Sequence, residues 1–595
     1  MKKECVLLFC LLFVFIRGNV CAAIPRSEYP RPQFERSAWV NLNGAWTYAF
    51  DFSNSGKDRN WQSLKHFDGT IIVPFCPESR LSGVEYKDFI NAMWYQREIS
   101  IPSNWKGKDI LLNFGAVYYQ ADIYIDGKFV MSHTGGSSSF SANITRYVAP
   151  GTMHSLVVYV KDDLRSGKQP GGKQCTSYFS QGCSYTRVTG IWQTVWMEAV
   201  SAEGLKSVYA CPDIDQQQLV VHPQFYHESD DRLTTTVLSG KKVVVSKTVR
   251  CSNSSILVLL IPKMKLWSPE SPFLYTIIYK VVDKNGRVID EVKSYAGMRK
   301  VSTENGYVCL NNKPYYQRLV LDQGYYPDGE WTAPSDEALK KDIELGKEAG
   351  FNGARTHQKA FEERYFYWAD KLGYFTYAES PSWDLDVNDE LGARNFIGEW
   401  SEIVESRRNH PSIAIWTPFN ETWNCQLGTY QRLITDVYNT TKAMDSARPI
   451  NDASGDGHVV TDIWSVHDYE RDPNKLIKEL TFKEGQEPYR NQPDKKFLAS
   501  YEGQPYIVDE FGGLPWMKAQ DKKTSWGYGG GFKSMEDFYE CLQKEVDALR
   551  ACKNVCGFCY TQLTDVEQEK NGIYYYDRTP KFDMKRIKAI FESVR

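Results

Sequence analysis

Two glutamates in this chain each follow an apolar run and stand beside aromatic residues. Glu421 lies in Trp416-Thr-Pro-Phe-Asn420-Glu421-Thr422-Trp423, and Glu510 in Tyr506-Ile-Val-Asp-Glu510-Phe511-Gly512-Gly513. Two carboxylates in an aromatic-lined pocket suit cleavage of a glycosidic bond. One protonates the leaving oxygen while the other attacks the sugar or activates water. Desolvation beside aromatic neighbours is expected to raise the pKa of Glu421 and fit it for proton donation. Gly512 and Gly513 leave room for a ligand to approach the backbone. A single glutamate at such a place is as readily a scaffold group paired with an arginine; two of them favour chemistry.

Both glutamates must be carried by strands whose ends converge. From residue 299 onward, short apolar runs alternate with helical segments, and eight strands are expected: Gln317–Asp322, Phe351–Thr356, Tyr374–Glu379, Ser412–Thr417, Pro449–Asp452, Asp462–His467, Tyr506–Glu510 and Val555–Tyr560. Ser335 caps a helix opening on Asp336 and stopping at Gly350, and a second helix runs from Glu362 to Leu372 and closes at Gly373. Eight such units make a C-terminal (β/α)8 TIM barrel over residues 299–595, with its site at the C-terminal ends of the strands. Other polar residues at those ends are candidate sugar contacts: Asp322 and Gln323 after strand one, Arg355 and His357 after strand two, and His467 and Tyr469 after strand six. Arg355 serves equally well to neutralise the carboxylate pair. Trp526, in a glycine-rich stretch, is a candidate stacking platform, and Glu567 follows strand eight.

Upstream of the barrel the pattern is all-β. Residues 27–200 read as short strands, such as Ala121–Asp126 running into Gly127-Lys128, and predict a jelly-roll sandwich. Residues 201–298 predict an immunoglobulin-like sandwich, with strands at Leu219–His222, Leu233–Leu238, Lys242–Val249, Ile256–Ile261 and Leu274–Val281. Residues 1–22 carry a basic start, an apolar run of eleven residues from Val6 to Ile16, and a small-residue cleavage site. They read as a secretory signal, so the protein is expected to be secreted or periplasmic. Val20 before Cys21 argues against a lipid anchor.

The net charge of −3 gives no footprint for nucleic acid, and no later stretch has the roughly 20 apolar residues of a membrane helix. Of the 14 cysteines, three fall in the leader, and the odd remainder is scattered too widely for a disulfide scaffold. Cys175 and Cys183 are close enough in sequence to pair. Cys552, Cys556 and Cys559 mimic a cluster motif, but Cys556 and Cys559 on one strand are expected to face opposite sides. No metal spacing is present, and paired-carboxylate chemistry needs no cofactor. Aromatic residues make up 14% of the chain, a load that fills cores or stacks on sugars.

Asn420-Glu421 with Glu510-Phe511-Gly512 resembles the barrel pattern of clan A glycoside hydrolases. Asn41-Leu-Asn-Gly-Ala-Trp46, Trp94-Tyr-Gln-Arg97, Gly190-Ile-Trp-Gln-Thr-Val-Trp196 and Leu266-Trp-Ser-Pro-Glu-Ser-Pro272 resemble the sugar-binding and immunoglobulin-like domains of glycoside hydrolase family 2. The resemblance covers nearly the whole chain after the leader. It implies a retaining β-glycosidase acting on an oligosaccharide or glycoside, with Glu421 as acid/base, Glu510 as nucleophile, Asn420 on the sugar 2-hydroxyl and Tyr469 hydrogen-bonded to the nucleophile. Strand eight departs from the clan, because Tyr560-Thr561-Gln562 stands where many relatives carry a tryptophan floor.

The resemblance also bears on the sugar. Family glucuronidases hold the uronate with Asn-x-Lys before Gly-Ile, and this chain has Glu569-Lys570-Asn571 before Gly572-Ile573. An acid there repels a carboxylate. A β-D-galactoside-like sugar is therefore the first expectation, with β-glucuronide, β-mannoside or α-L-arabinopyranoside as alternatives. A non-catalytic carbohydrate-binding protein would be expected to have lost one of the two glutamates. A transglycosylase would use the same machinery.

Overall fold

The structure, a computed structural model, describes residues 24–422, 428–483, 485–491, 499–518 and 524–594. The leader 1–22 and Trp423 lie outside the described residues. Among the described residues, no helix is long and apolar enough to cross a membrane.

The N-terminal part is a sandwich of two antiparallel sheets. One has six strands in the order Gly69–Val73, Gly44–Phe50, Ala92–Ser100, Met153–Lys161, Gln120–Ile125, Lys128–Thr134; the other has Trp39–Asn41, Val195–Val200, Asp109–Phe114 and Phe140–Asn143. Alternate residues of each face, among them Met93, Tyr95, Leu112, Phe114 and Met197, interdigitate in one buried core. The expected turn at Asp126-Gly127 is a tight hairpin with both residues left-handed (φ 49° and 74°).

A second, smaller sandwich follows. Leu205–Asp213, Gln218–Phe225 and Leu257–Leu260 form one sheet, and Lys242–Arg250, Arg232–Ser239, Tyr275–Val282 and Val288–Ala296 form the other. All five expected strands are present. The sequence reading missed Leu205–Asp213 and Val288–Ala296.

The C-terminal part curls seven parallel strands into a barrel: Gln317–Asp322, Gly353–Thr356, Phe375–Glu379, Ile413–Thr417, Trp464–Asp468, Tyr506–Gly512 and Val555–Thr561. Strand one pairs with both strand two and strand eight, so the curl closes on that side. Strand five differs from expectation. Instead of Pro449–Asp452 it is a bridge from Ile450 to Trp416 and a short strand, Ala453–Ser454, paired with Phe419–Asn420. The Asp452 carboxylate explains the break, because it accepts from Val459 N, Val460 N and His458 Nδ1 and turns the chain into a loop. Helices wrap the outside, including Asp336–Glu348, capped by Ser335 Oγ, and Glu363–Leu372, ended by left-handed Gly373.

Strand side chains alternate between two buried layers. Leu319 and Leu321 pack with Phe375, Tyr377, Ile415 and Ile507, whereas Val320 and Val508 pack with the helices. Cys556 and Cys559 both lie in the first of these layers, not on opposite faces. The pairing register slips between Tyr506–Val555 and Ile507–Gly557, and the extra residue restores Cys559 to the side that Cys556 occupies. Both cysteines are free and buried. Cys175 and Cys183 are also free, with Cys175 Sγ donating to Phe179 O, so the suggested pairing is not present.

Candidate active site

Glu421, Glu510, Asn420, Arg355, His357, His467 and Tyr469 converge at the C-terminal end of the barrel. Asn420 closes the short strand after strand four. Glu421 follows it in the left-handed region (φ 48°), with its amide donating to Ser454 O at 2.9 Å. A non-glycine residue held there carries backbone strain, which an active site can store. Glu421 Oε1 accepts from His467 Nδ1 at 2.6 Å. Glu510, on strand seven, accepts at Oε2 from Tyr469 OH at 2.5 Å. One carboxylate oxygen of Glu421, one of Glu510 and a ring nitrogen of His467 all lie within 4.8 Å of one another.

The two glutamates sit in different electrostatic surroundings. Burial pushes Glu510 up, but the charges of His467, Arg355 and Lys173 more than offset it and hold its carboxyl at about 2. Arg355 Nη1 is 3.2 Å from Glu510 Oε1. That oxygen has no hydrogen-bond partner among the described residues and stays out of solvent contact. Glu421 is the more exposed, at 15% of its side chain against 6% for Glu510. The apolar surroundings expected for Glu421 are replaced by a direct hydrogen bond to His467.

Arg355 is the hub. It donates to Glu379, to Asp509 O at 2.7 Å and to Asn420 Oδ1 at 2.7 Å. Fully buried, it is positioned by these bonds and in turn orients Asn420, whose Nδ2 keeps no partner among the described residues. His357 Nδ1 lies 2.8 Å from Arg355 Nη2. Burial and the charge of Arg355 push its pKa well down, so the ring is neutral, and the same Nδ1 lies 3.0 Å from Glu379 Oε2.

His467 is the opposite case. Burial alone would lower it, but Glu510, Glu421 and Asp509 raise its pKa to about 9. Its Nε2 is 3.0 Å from Ser454 Oγ and 3.4 Å from Asp509 Oδ1. The charged imidazolium therefore contributes stability that is fully present below pH 6.5 and is lost as pH rises through about 9. The shift corresponds to a few kcal/mol, on the order of 3. Thermal unfolding from pH 6.5 to 9.5 is expected to show a falling midpoint in the wild type and a flatter profile in His467→Gln. Equal slopes would refute the charged-His467 assignment.

Other sequence-predicted residues lie elsewhere. Asp322 faces the helices, near Tyr365 OH at 3.5 Å, and burial with neighbouring Asp342 raises its pKa to about 7. Strand alternation puts Leu321 inward and Asp322 outward, so it is a structural acid. Gln323 is buried, and its Oε1 has no hydrogen-bond partner among the described residues. Glu567 accepts from Thr186 N at 2.9 Å and so holds a loop of the N-terminal sandwich. Trp526 is tied to the sandwich: Nε1 donates to Gly182 O, and its backbone bridges to Glu569. The glycines after Glu510 make room for rings rather than for ligand. A Cβ on Gly512 would meet Tyr560 at 2.4 Å, and one on Gly513 would meet Tyr528 at 2.3 Å. Tyr528 stacks on Tyr469 at 3.6 Å, which fixes the phenol that touches Glu510.

The sequence reading missed Glu379, Asp509, Ser454 and Trp383 as members of the network. Glu379 ends strand three and obeys the same strand-end rule as Glu421, so that signal was available. It also passed over Lys173, in the loop between Met153–Lys161 and Gly190–Ile191, for which the sequence held no signal. Gly171 N in that loop donates to Trp383 O at 2.7 Å, and Tyr185 OH donates to Glu569 Oε2 at 2.6 Å. The N-terminal sandwich thus forms part of the wall of the barrel's mouth.

Comparison with known proteins agrees with this arrangement. The description "Glycosyl hydrolases family 2, sugar binding domain" matches residues 39–197, "Glycosyl hydrolases family 2" matches 211–299, and "Glycosyl hydrolases family 2, TIM barrel domain" matches 301–595. A β-glucuronidase of Paenibacillus borealis is 24% identical over 443 residues, covering 69% of this chain and 72% of that protein. A β-galactosidase of Thermoanaerobacter pseudethanolicus is 24% identical over 387 residues, covering 63% of this chain but only 49% of that protein. The fold is similar to the β-glucuronidase from Ruminococcus gnavus solved with D-glucuronic acid, with a TM-score of 0.79 at 20% identity over 96% of this chain and 100% of that one.

Proposed function

The chain belongs to glycoside hydrolase family 2 and is a β-glycosidase, and from that premise we propose a retaining, exo-acting enzyme with Glu510 as nucleophile and Glu421 as acid/base. The observation that supports this reading is the close approach of the two carboxylates: an oxygen of each lies within 4.8 Å of the other, which is compatible with the shorter of the two separations that glycosidases use. Retaining glycosidases need about 5–5.5 Å between carboxyl groups, whereas inverting ones need roughly 6.5–9.5 Å to seat a water. Glu510, ionised far below neutral pH and with one buried oxygen that accepts no hydrogen bond among the described residues, attacks the anomeric carbon. Glu421 protonates the leaving oxygen, then takes a proton from the water that releases the sugar. The wall supplied by the N-terminal loop favours a pocket that takes a terminal sugar.

For the glycone, a neutral β-D-galactoside-like sugar is the first reading. It is supported by buried Glu569, held by Tyr185 and by Asn571 Nδ2 at 3.0 Å, where a uronate clamp would otherwise sit. A β-glucuronide is the second reading, favoured by the ammonium of Lys173 in the same pocket. The leader at 1–22 supports a place outside the cytoplasm. Hydrolysis of aryl β-D-galactoside, glucoside, mannoside, glucuronide, fucoside and α-L-arabinopyranoside tests the assignment. The galactoside or arabinopyranoside is expected to turn over fastest, with retention of configuration. An inverted product would sink the mechanism, and glucuronide alone being hydrolysed would replace the first reading with the second.

A further inference from the structure

Lys173 is buried to 7% exposure, yet no carboxylate among the described residues lies within ion-pairing distance of its Nζ. The ammonium sits 3.9 Å above the centroid of Trp383. That indole's Nε1 donates to Asn420 O at 3.1 Å, which sets the lysine one ring away from the residue before Glu421, and the charges of Cys183, Glu569, Glu510 and Glu421 all act on the lysine. An ammonium withdrawn from water without a carboxylate in contact is costly, and a face-on indole offsets only part of that cost.

The chain goes to some length to hold it there. Gly172 is left-handed (φ 64°), and a Cβ on it would meet Gln358 O at 2.4 Å, so the loop lies flat against the barrel. Lys173 O accepts from Tyr185 N at 2.7 Å. Tyr185 in turn donates its hydroxyl to Glu569. A single loop of the sandwich thereby places a cationic donor and, through Tyr185, fixes an anionic acceptor, and the two are not in ion-pair contact.

We propose that Lys173 is a glycone-binding residue contributed across the domain boundary, and that its ammonium donates to a glycone hydroxyl whose own hydrogen Glu569 accepts. Glu569 balances the lysine's charge, so the pair reads a neutral polar oxygen and not a carboxylate. This rests on the glycosidase reading above.

The test uses the full-length enzyme, the panel glycoside that it hydrolyses best, and monodeoxy analogues of that glycoside. Lys173→Met is expected to unfold near the wild-type temperature and to lose kcat/KM by about 10²-fold or more, the scale for losing a hydrogen bond to a substrate hydroxyl in a dry site. The wild type is expected to reject one monodeoxy analogue strongly, and Lys173→Met to accept it as well as the parent. A variant that keeps wild-type kcat/KM, or that loses rate but still rejects the same analogue, overturns the proposal. Selective loss of glucuronide turnover overturns it too, by making the acceptor a carboxylate. Should Lys173→Met fail to fold, Lys173→Arg keeps the cation over Trp383 but moves the donors, and wild-type discrimination in that variant overturns the proposal. Silence of the wild type across the panel, with no fluorosugar trapped on Glu510, removes the glycosidase reading and this one together. An active wild type with an unaffected variant removes this one alone.

Discussion

Glu510→Gln is expected to lower turnover by roughly 10⁴–10⁶-fold while leaving the fold intact, the scale for removing a covalent nucleophile. The amide keeps the volume and can still accept from Tyr469, so the Tyr469–Tyr528 stack behind it is undisturbed. Arg355 keeps Glu379 and Asn420, and His467 keeps Glu421 and Ser454, so no buried cation is stranded. The fold should stay intact, with some stability lost near neutral pH because His467 loses the charge that does most to raise its pKa. The check is paired: steady-state rates on an activated aryl glycoside, and intact mass after incubation with a 2-deoxy-2-fluoro glycoside. The wild type should gain one sugar on Glu510 and the variant none. Turnover well above that range in the variant, or a sugar trapped on another residue, would remove Glu510 from the nucleophile's role.

Glu421→Ala should behave differently, because Glu421 serves both steps. Substrates with good leaving groups need no proton in the first step, so the variant should still form the glycosyl-enzyme with them and then stall. Turnover should fall by the 10²–10⁴-fold typical of general acid–base catalysis. Poor leaving groups should suffer most. The deleted side chain opens a small space beside His467, and azide, which needs no deprotonation, should fill it and restore turnover with a β-configured glycosyl azide as product. Absence of that product would exclude Glu421 as the acid/base. A secondary consequence is local: His467 loses its 2.6 Å partner, so its pKa should fall, while Glu510 and Asp509 still hold it up.

The two variants differ because the structure treats the two carboxylates differently. Glu510, with 6% of its side chain exposed, faces Arg355, His467 and Lys173, whose charges are screened less there than at the surface. Glu421 touches one cation and opens toward solvent. Two like groups placed in unlike fields can divide the labour of nucleophile and acid. The strained backbone at Glu421 and the buried arginine hub at Arg355 are costs of holding that asymmetry in place.

Much of this was legible from the chain by itself. Short alternating strands, then apolar runs between capped helices, specify two sandwiches and a barrel, because side-chain period and turn chemistry are local properties. Polar residues at the ends of apolar strands pick out Glu421, Glu510, Arg355, His357, His467 and Tyr469, because a barrel brings strand ends together whatever its loops do. The same rule over-reached at Asp322, where strand alternation turned the side chain to the helices. It also failed at Glu567, which bonds to the sandwich's loop, and the glycine-rich setting that suggested Trp526 as a stacking platform misled in the same way. What only the tertiary structure decided is which charge meets which. The pKa of Glu510 depends on Arg355, His467 and Lys173, brought to it from other strands and from another domain. Lys173 was invisible in sequence for that reason: a lone lysine in a glycine-rich loop carries no periodicity, and it becomes part of a sugar site only when Gly172 lies against Gln358 and the loop closes over the barrel.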